Sequence, residues 1–205
     1  MNKTILYYSN NVIDDTILNN TVINLLLESN LPIFTVTKSS KIQFGFRNKV
    51  YNGVDSHISI LSQIKLGLES IKTETVFFAE HDVLYPKSHF MLDSSQVAVN
   101  TNCWGLSPAG FYKYHYNNYP LSCIFGNRFL LLEAINDKLV NWKNKNRYIE
   151  PGKDDATIVT NESGKDPVLS ISHNLNFTHW VPSSKKRGYL KYWGNYIKLR
   201  RRLEL

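Results

Sequence analysis

The chain has 205 residues, 42% hydrophobic and 20% charged, which is typical of a globular protein long enough to bury a substantial core. No stretch approaches the roughly 18 uninterrupted apolar residues of a membrane span, and no signal peptide precedes the first apolar segment. We therefore expect a cytoplasmic protein. Its two cysteines, Cys103 and Cys123, are expected to be thiols, without the spacing of a zinc site.

The net charge of +7 is concentrated at one end of the sequence. Residues 183–205 contain eight Lys and Arg and one acid, Glu204, whereas residues 1–182 contain 16 basic and 16 acidic residues. This distribution predicts a neutral domain over residues 1–182 and a basic extension over residues 183–205 that has an anionic partner of its own.

The first predicted elements form a β-α-β unit. Thr4–Ser9 is a short apolar strand, apolar residues recur at helical spacing between Ile17 and Leu26, and Leu31–Thr37 is a second strand. Such a unit implies two parallel strands with a right-handed crossover between them. Residues 38–53 are polar and give no clear prediction.

A second helix is predicted from Asp55 or Ser56 to Ile71, because apolar residues recur on one face. It leads to an apolar run that begins at Thr75 and ends before Glu80, and such a run is typical of a strand buried on both faces. These elements predict an α/β fold with a mostly parallel sheet flanked by helices.

The second half of the sequence continues this pattern with less regularity. Gln96–Asn100 and Val168–Ile171 are predicted strands, and Arg128–Trp142 is a predicted helix. Thr101–Leu121 is rich in Tyr, Asn and Gly and is predicted to be a long loop, which in a compact domain is usually functional.

Three polar residues, Glu80, His81 and Asp82, directly follow the apolar run and precede Pro86, which ends the strand region. In open α/β sheets, ligands bind at the carboxyl ends of the strands. Carboxylate oxygens suit a hard cation such as Mg²⁺ or Mn²⁺, and His173 is a candidate further ligand. The alternative is that the two acids are solvated loop residues.

A second set of carboxylates, Glu150, Asp154 and Asp155, lies around Pro151-Gly152. One of them is a candidate general base for an acceptor hydroxyl. An acidic segment with glycine is also typical of a simple turn.

The segment Ala79–Pro86, followed by Ser88-His89-Phe90, resembles the E-H-D-V-L-Y-x-x-S-H-F segment of small phage and bacterial glycosyltransferases of the GT-A fold. The resemblance covers about residues 4–182. Further matches follow in the same order: Leu31-Pro32-Ile33, Gln63-Ile64 with Gly67-Leu68, Asn100-Thr101-Asn102 with Trp104, Arg128 with Leu130–Glu133, Glu150-Pro151-Gly152, and Asn174-Leu175 with Trp180.

The resemblance implies a GT-A-like, Rossmann-like catalytic domain over residues 1–182. The basic segment 183–205, which the resemblance does not cover, is predicted to be a helical extension. It implies that the Glu80-His81-Asp82 segment corresponds to the D-x-D motif, which holds the metal and the nucleotide-sugar diphosphate. Asp82 is then the direct ligand of Mn²⁺ or Mg²⁺, with Glu80 and His81 in the donor-binding loop.

The other ligand depends on a departure from the family pattern. Similar enzymes have H-x-x-N-L-T, whereas His173 here directly precedes Asn174-Leu175, so His179 is a rival to His173. Pro86-Lys87 also stands where the family has His-Pro.

The same resemblance assigns the remaining donor and catalytic positions. Tyr8, Ser9 and Asn10 are implied to contact the nucleobase and ribose, and Arg47 is a candidate for reaching phosphate. Glu150 is the candidate base, with Asp154 and Asp155 as alternatives. The implied activity is that of a hexosyltransferase with a nucleotide-sugar donor, expected to be a UDP-sugar.

The basic extension interleaves Lys and Arg with aromatic residues. This composition is compatible with a helix packed on the domain, with a nucleic-acid surface, or with a membrane surface. The candidate acceptor contacts are Trp104, Lys185, Lys186, Arg187, Tyr192 and Trp193.

Similar phage enzymes include sugar transferases that act on hydroxymethylated pyrimidines in DNA. Similar bacterial enzymes act in surface-glycan assembly, often on lipid-linked acceptors. We favour DNA, because the chain is short and lacks a hydrophobic anchor. A non-catalytic nucleic-acid-binding module on a degenerate transferase domain is a further alternative.

Overall fold

A computed structural model describes residues 2–10, 17–38, 44–53, 57–114, 120–145, 160–171 and 186–205. The helices are α1 (Ile17–Glu28), α2 (His57–Ser70), α3 (Arg128–Lys145) and α4 (Tyr196–Arg202). The strands, numbered in chain order, belong to one large sheet, a smaller sheet and a hairpin.

The large sheet has seven strands in the order β10-β6-β9-β4-β1-β2-β3. They are β1 (Lys3–Ser9), β2 (Ile33–Thr37), β3 (Arg47–Val50), β4 (Thr75–Glu80), β6 (Val97–Asn100), β9 (Ile124–Asn127) and β10 (Thr160–Glu162). Only β9 is antiparallel to its neighbours, β4 and β6. The predicted α/β class with a large, mostly parallel sheet flanked by helices is confirmed.

The core of this sheet explains why these segments form strands. All seven residues of β1 are buried, and so are the first five of β4, as expected for strands covered on both faces. Tyr7 Oη donates to Asn19 Oδ1 of α1 at 3.2 Å, while a side chain at Gly67 of α2 would collide with Leu6. Because successive strand residues point to opposite faces, α1 and α2 cover opposite faces of the sheet.

The smaller sheet has five strands in the order β12-β8-β7-β11-β5. They are β5 (Val83–Leu84), β7 (Cys103–Ser107), β8 (Gly110–Lys113), β11 (Val168–Ile171) and β12 (Lys186–Arg187). Since β5 follows β4 after only His81 and Asp82, the two sheets meet at the segment that carries the candidate site.

The prediction of a loop over Thr101–Leu121 is wrong. This region contains the antiparallel pair β7 and β8, whose strands join through a tight turn at Ser107–Gly110. Gly110 has φ +129°, a conformation that side chains rarely adopt, so glycine is required there. The residues therefore supply two strands of the smaller sheet.

Three strands of the large sheet, β3, β9 and β10, lie where no strand was predicted. β3 occupies part of the polar stretch 38–53 and forms the edge of the large sheet with four exposed residues. β9 inserts between β4 and β6 as the antiparallel strand. A run of only four residues with a glycine at Gly126 carries little periodic signal.

Within residues 186–205, the described part of the basic extension, the helix begins at Tyr196. Before it, β12 pairs with β8, and β13 (Tyr189–Leu190) pairs with β14 (Gly194–Asn195) in a hairpin. Asn195 caps α4, because its Oδ1 accepts from the backbone N–H groups of Ile197 and Lys198. The division between residues 182 and 183 stays a prediction, since it lies outside the described ranges.

Within the described ranges, no helix is both long enough and apolar enough to cross a bilayer. Cys103 and Cys123 are buried free thiols.

Candidate functional site

Two hydrogen-bonded side-chain pairs define the carboxyl ends of β1 and β4. Tyr8 and Glu80 are partners in the parallel register, and Tyr8 Oη donates to Glu80 Oε1 at 2.8 Å. Ser9 Oγ lies 3.2 Å from His81 Nδ1. The structure therefore brings together four of the residues that the resemblance assigns to donor binding, and Asn10 follows them directly at a half-buried position.

A buried glutamine of α2 holds this edge of the sheet in place. With its amide nitrogen turned toward the strands, Gln63 donates to Ser9 O at 2.9 Å and to Val36 O at 3.0 Å. These two carbonyls lie at the ends of neighbouring strands, so one side chain fixes β1 relative to β2. Sequence reasoning did not assign Gln63 a role, although a polar residue on the apolar face of a predicted helix is the available signal.

Tyr85 contacts the backbone of Glu80 at the candidate site. Its hydroxyl oxygen accepts from the backbone N–H of Glu80 at 3.0 Å. Complete burial, followed by the nearby Glu80 carboxylate, raises the pKa of Tyr85 well above its usual value, so the hydroxyl remains protonated. Tyr85 was part of the recognised segment but had been given no role, and its contact makes it a positioning residue for Glu80.

Asp82 occupies the turn between the two sheets and is 9% exposed. Its backbone carbonyl accepts from Ile171 N at 2.8 Å, which extends the pairing of β5 with β11. The end of β11 therefore lies beside Asp82. His173 is two residues beyond Ile171, but both His173 and His179 lie outside the described residues, so the choice between them stays a prediction.

The described residues contain no group of three or more His, Cys, Asp and Glu arranged to hold a metal. Glu80 and His81 instead contact Tyr8 and Ser9. Mg²⁺ and Mn²⁺ are commonly held by one or two carboxylates together with substrate phosphates and water. The Asp82 carboxylate at a strand end fits that pattern.

Ser88 and His89, from the segment that resembles glycosyltransferases, make contacts within the protein. Ser88 Oγ donates to Asp166 Oδ2 at 3.0 Å and accepts from Asp166 N at 3.2 Å. His89 Nδ1 lies 3.0 Å from Asn100 Nδ2, and the imidazole is fully buried among aromatic rings. Burial lowers the pKa of His89 to about 3, so its ring is neutral at ordinary pH.

Asn100 extends this support to the smaller sheet. Its Oδ1 accepts from the backbone N–H groups of Asn102 and Gly164, both at 3.0 Å. Asn102 Nδ2 in turn donates to Gly164 O at 2.9 Å. The matched Asn100-Thr101-Asn102 segment therefore joins β6 and β7 to the loop that precedes β11.

Arg47 lies apart from these residues. It is exposed on β3 and pairs with Phe34 of β2. Phe34 in turn pairs with Leu6 of β1, so Arg47 lies on the row of Leu6 and not on that of Tyr8. Lys49 pairs with Val36, at the level of Tyr8. Lys49 is thus the cation of β3 on the row of the site, and a polar edge strand gave no sequence signal for it.

The candidate bases Glu150, Asp154 and Asp155, and the candidate acceptor contact Lys185, lie outside the described residues. Their assignments stay predictions.

The other acceptor candidates are divided between anchoring and exposed positions. Trp104 is 7% exposed, its Nε1 donates to Asn102 Oδ1 at 3.1 Å, and the Arg187 guanidinium lies 5.1 Å from its ring centre. Trp193 Nε1 donates to Pro167 O at 2.7 Å. Tyr192 is 45% exposed and Lys186 is exposed on β12.

Comparison with solved structures identifies proteins of similar fold. A glycosyltransferase involved in the glycosylation of the major capsid of PBCV-1 is similar with a TM-score of 0.50 and 11% identity, over 82% of this chain and 92% of that chain. S. aureus TarS 1–349 in complex with UDP-GlcNAc is similar with a TM-score of 0.47 and 11% identity, over 88% of this chain. This chain spans 62% of that TarS fragment.

No family model matches the chain, and no curated protein matches it. At 11% identity, the similarity to the PBCV-1 protein concerns the arrangement of strands and helices and not the residues of a site. The chain has the fold of a glycosyltransferase.

Proposed function

We propose that this protein is a metal-dependent glycosyltransferase that moves a hexose from a UDP-sugar to an acceptor hydroxyl. The observation that supports it is the pairing of Tyr8 with Glu80 and of Ser9 with His81 beside Asp82, in a fold shared with a glycosyltransferase. This cluster lies at the carboxyl ends of parallel strands, where open α/β sheets bind their ligands.

The donor is proposed to bind across the ends of β1 and β4. Tyr8, Ser9 and Asn10 face the nucleobase and ribose, and Glu80 and His81 fix the loop that approaches the diphosphate. The hydrogen bonds between the two strands make this surface preorganised, which limits the ordering cost of binding. Arg47 is the proposed phosphate contact of the edge strand, although its row is that of Leu6.

Asp82 is the proposed ligand of Mn²⁺ or Mg²⁺, with His173 or His179 as the second. A cation held there would act as a Lewis acid that stabilises charge on the departing nucleoside diphosphate. Glu150, or else Asp154 or Asp155, accepts the proton of the acceptor hydroxyl. The oxygen of that hydroxyl forms the new bond to the anomeric carbon as the bond from this carbon to the nucleoside diphosphate breaks.

The favoured acceptor is a hydroxymethylpyrimidine in DNA. Its support is the concentration of positive charge in residues 183–205, because a polyanionic acceptor is drawn to such a segment by its phosphates. Transfer to the base requires that it be flipped out of a duplex or be unpaired.

Mass spectrometry tests this proposal. The full chain is incubated with a UDP-hexose, Mn²⁺ and hydroxymethylpyrimidine DNA, and the DNA is digested to nucleosides. We expect a hexosyl-nucleoside that is absent with EDTA. Modification of a glycan or lipid-linked acceptor instead of DNA would overturn the acceptor while supporting the transferase, and DNA binding without donor turnover on any acceptor would support a non-catalytic module.

The donor is identified separately by thermal shift against UDP-, GDP- and TDP-sugars with and without Mn²⁺. A ligand that binds only the folded state raises the melting temperature by mass action. The largest shift is expected with a UDP-sugar and Mn²⁺ together, and a shift confined to another nucleotide would contradict the donor assignment.

A further inference from the structure

In residues 186–205 three leucines point inward and most of the charged side chains are exposed. Leu190, Leu199 and Leu203 are 6% exposed or less, whereas Lys191, Arg201 and Arg202 are exposed. We call the outward side the tail surface and define it by Lys186, Tyr189, Lys191, Tyr192, Arg201 and Arg202. In residues 186–205 the sequence has seven basic side chains against the single acid Glu204.

The inward direction of the leucines distinguishes between two anionic partners. A helix that lies on a membrane presents its apolar face to the acyl chains. In α4 that face, with Leu199 and Leu203, is packed against the protein. The exposed large apolar residues of this segment are Tyr189, Tyr192 and Ile197, so little apolar surface remains for insertion into a bilayer. The combination of cations and exposed tyrosines suits a hydrated polyanion with stacking bases.

The tail surface is held firmly on the smaller sheet. Trp193 donates its N–H to Pro167 O at 2.7 Å, and the Arg187 guanidinium lies over the Trp104 ring. Pro167 follows Asp166, which Ser88 binds, so the anchor reaches the same loop that supports the recognised segment. Trp193, Arg187 and Trp104 therefore act in this arrangement as positioning residues for the surface.

Strand register relates this surface to the donor site. Arg187 pairs with Phe111, Phe111 with Leu106, and Leu106 with Ile171. Ile171 N then donates to Asp82 O. With neighbouring strands about 4.8 Å apart, Arg187 and Asp82 lie at the two ends of one row, about 19 Å from each other.

We infer that the tail surface binds the sugar-phosphate backbone of nucleic acid through its Lys and Arg side chains, with Tyr189 and Tyr192 stacking on exposed bases. Because the paired residues from Arg187 to Asp82 belong to one sheet, the bound nucleic acid would lie at a constant distance from the donor site. Presentation of a base to that site rests on the proposed function, whereas the binding itself does not.

The test measures binding of an unmodified single-stranded oligonucleotide to the full chain by fluorescence anisotropy over a range of salt concentrations. Lys191→Gln with Arg201→Gln should lower the slope of log K against log [salt] by about 1.4, since each lost phosphate contact contributes about 0.7. Tyr189→Ser with Tyr192→Ser should weaken binding roughly 100-fold, about tenfold for each tyrosine, with the salt slope retained.

The matched control is Lys72→Gln with Lys138→Gln, which removes the same charge from positions outside residues 186–205. Its binding should stay within about twofold of the unsubstituted protein, because screening limits the effect of distant charges. Melting temperatures of all variants report whether each one is folded.

Equal loss of binding in the tail and control variants would overturn the inference, because net charge alone would then explain it. Binding to phosphatidylserine vesicles without binding to the oligonucleotide would also overturn it, in favour of a membrane surface. Oligonucleotide binding that depends on the tail, without sugar transfer to any acceptor, would support the tail surface and contradict the proposed function.

Discussion

The carboxyl end of the large sheet and the tail surface use polar residues in opposite ways. At the sheet end, Tyr8 and Ser9 are hydrogen-bonded to residues about 70 positions later, in a partly buried setting. On the tail surface the charged groups point outward, and the contacts to the protein are made by Trp193 and the leucines. The contacts of the first region depend on the position of each atom. The electrostatic attraction of the second depends on the number and sign of its charges.

This difference determines how each region should respond to substitution. A single change at the sheet end removes a specific contact between the two strands, so its effect is expected to be large. Changes on an exposed basic surface contribute separately and modestly, because water and salt screen each charge.

The largest effect is expected from Asp82→Asn. We expect kcat for sugar transfer to fall roughly 10²- to 10³-fold, comparable with the loss of one well-placed electrostatic group. Asparagine retains the backbone carbonyl that accepts from Ile171, so the melting temperature should change little. Kinetics with saturating Mn²⁺ measure the effect, with the exposed Asp137→Asn as the control. An unchanged kcat would show that Asp82 does not hold the metal.

A smaller effect is expected on the free energy of unfolding when the pH is lowered, because His89 is buried as a neutral ring. The pKa of His89 is about 3 when folded and about 6.5 when unfolded, so between these values the unfolded chain binds a proton that the folded chain does not. Stability conferred by the neutral ring is complete above pH 6.5 and falls as the pH decreases. The loss at pH 5 is about 2 kcal/mol.

Urea unfolding of the unsubstituted protein and of His89→Gln at pH 7.5 and pH 5 tests this. The variant is expected to be less stable at pH 7.5 because the buried ring is lost, but its additional loss at pH 5 should be about 2 kcal/mol smaller. Identical pH dependence in both proteins would contradict a neutral, buried His89.

Next in size is Tyr8→Phe, which removes the hydroxyl that donates to Glu80. A hydrogen bond to a charged group contributes about 1.5 kcal/mol or somewhat more, so the affinity for the UDP-sugar should fall about tenfold. Isothermal titration measures it, and Tyr196→Phe, whose ring packs against Phe111, is the matched control from the other region. Equal losses in the two variants would remove the distinction between the regions.

The smallest effect is expected from Trp193→Phe, which retains an aromatic ring but removes the N–H that Pro167 O accepts. The lost hydrogen bond contributes about 1 kcal/mol, so amide exchange at Leu190 in the hairpin should accelerate about fivefold. Tyr192→Phe, at an exposed position of the same turn, should leave that exchange rate unaltered. Unchanged exchange in Trp193→Phe would show that this bond does not anchor the tail surface.

The pattern of apolar residues predicted the strands that are buried on both faces and the helices that have one buried face. The runs that became β1 and β4 are apolar throughout because both faces are covered, and α2 shows its buried face clearly. The strands β7 and β8 were missed because Gly105 and Gly110 interrupt their apolar pattern and because Tyr112 fills the space beside Gly105. Their strand conformation depends on partners distant in sequence.

The candidate site shows the same limit. Its residues were predicted from two segments of the sequence, 8–10 and 80–82. The partner of each residue could not be predicted, since the Tyr8–Glu80 contact depends on the register between β1 and β4. In the tail, composition indicated an anionic partner but gave no means of distinguishing Tyr192, which is exposed, from Trp193, which is an anchor. That distinction arises from the hairpin geometry.

The pairing of β12 with β8 also affects how the tail can be studied. Gly110 lets the carbonyl of Arg187 approach so closely that a side chain at position 110 would lie 2.9 Å from it, and β12 covers the edge of β8 at Phe111 and Tyr112. Deleting the tail would expose the backbone groups of β8 that face β12, and exposed sheet edges promote aggregation between molecules. We therefore expect the basic segment also to limit self-association. Deleting it would not separate loss of the proposed nucleic-acid binding from loss of solubility.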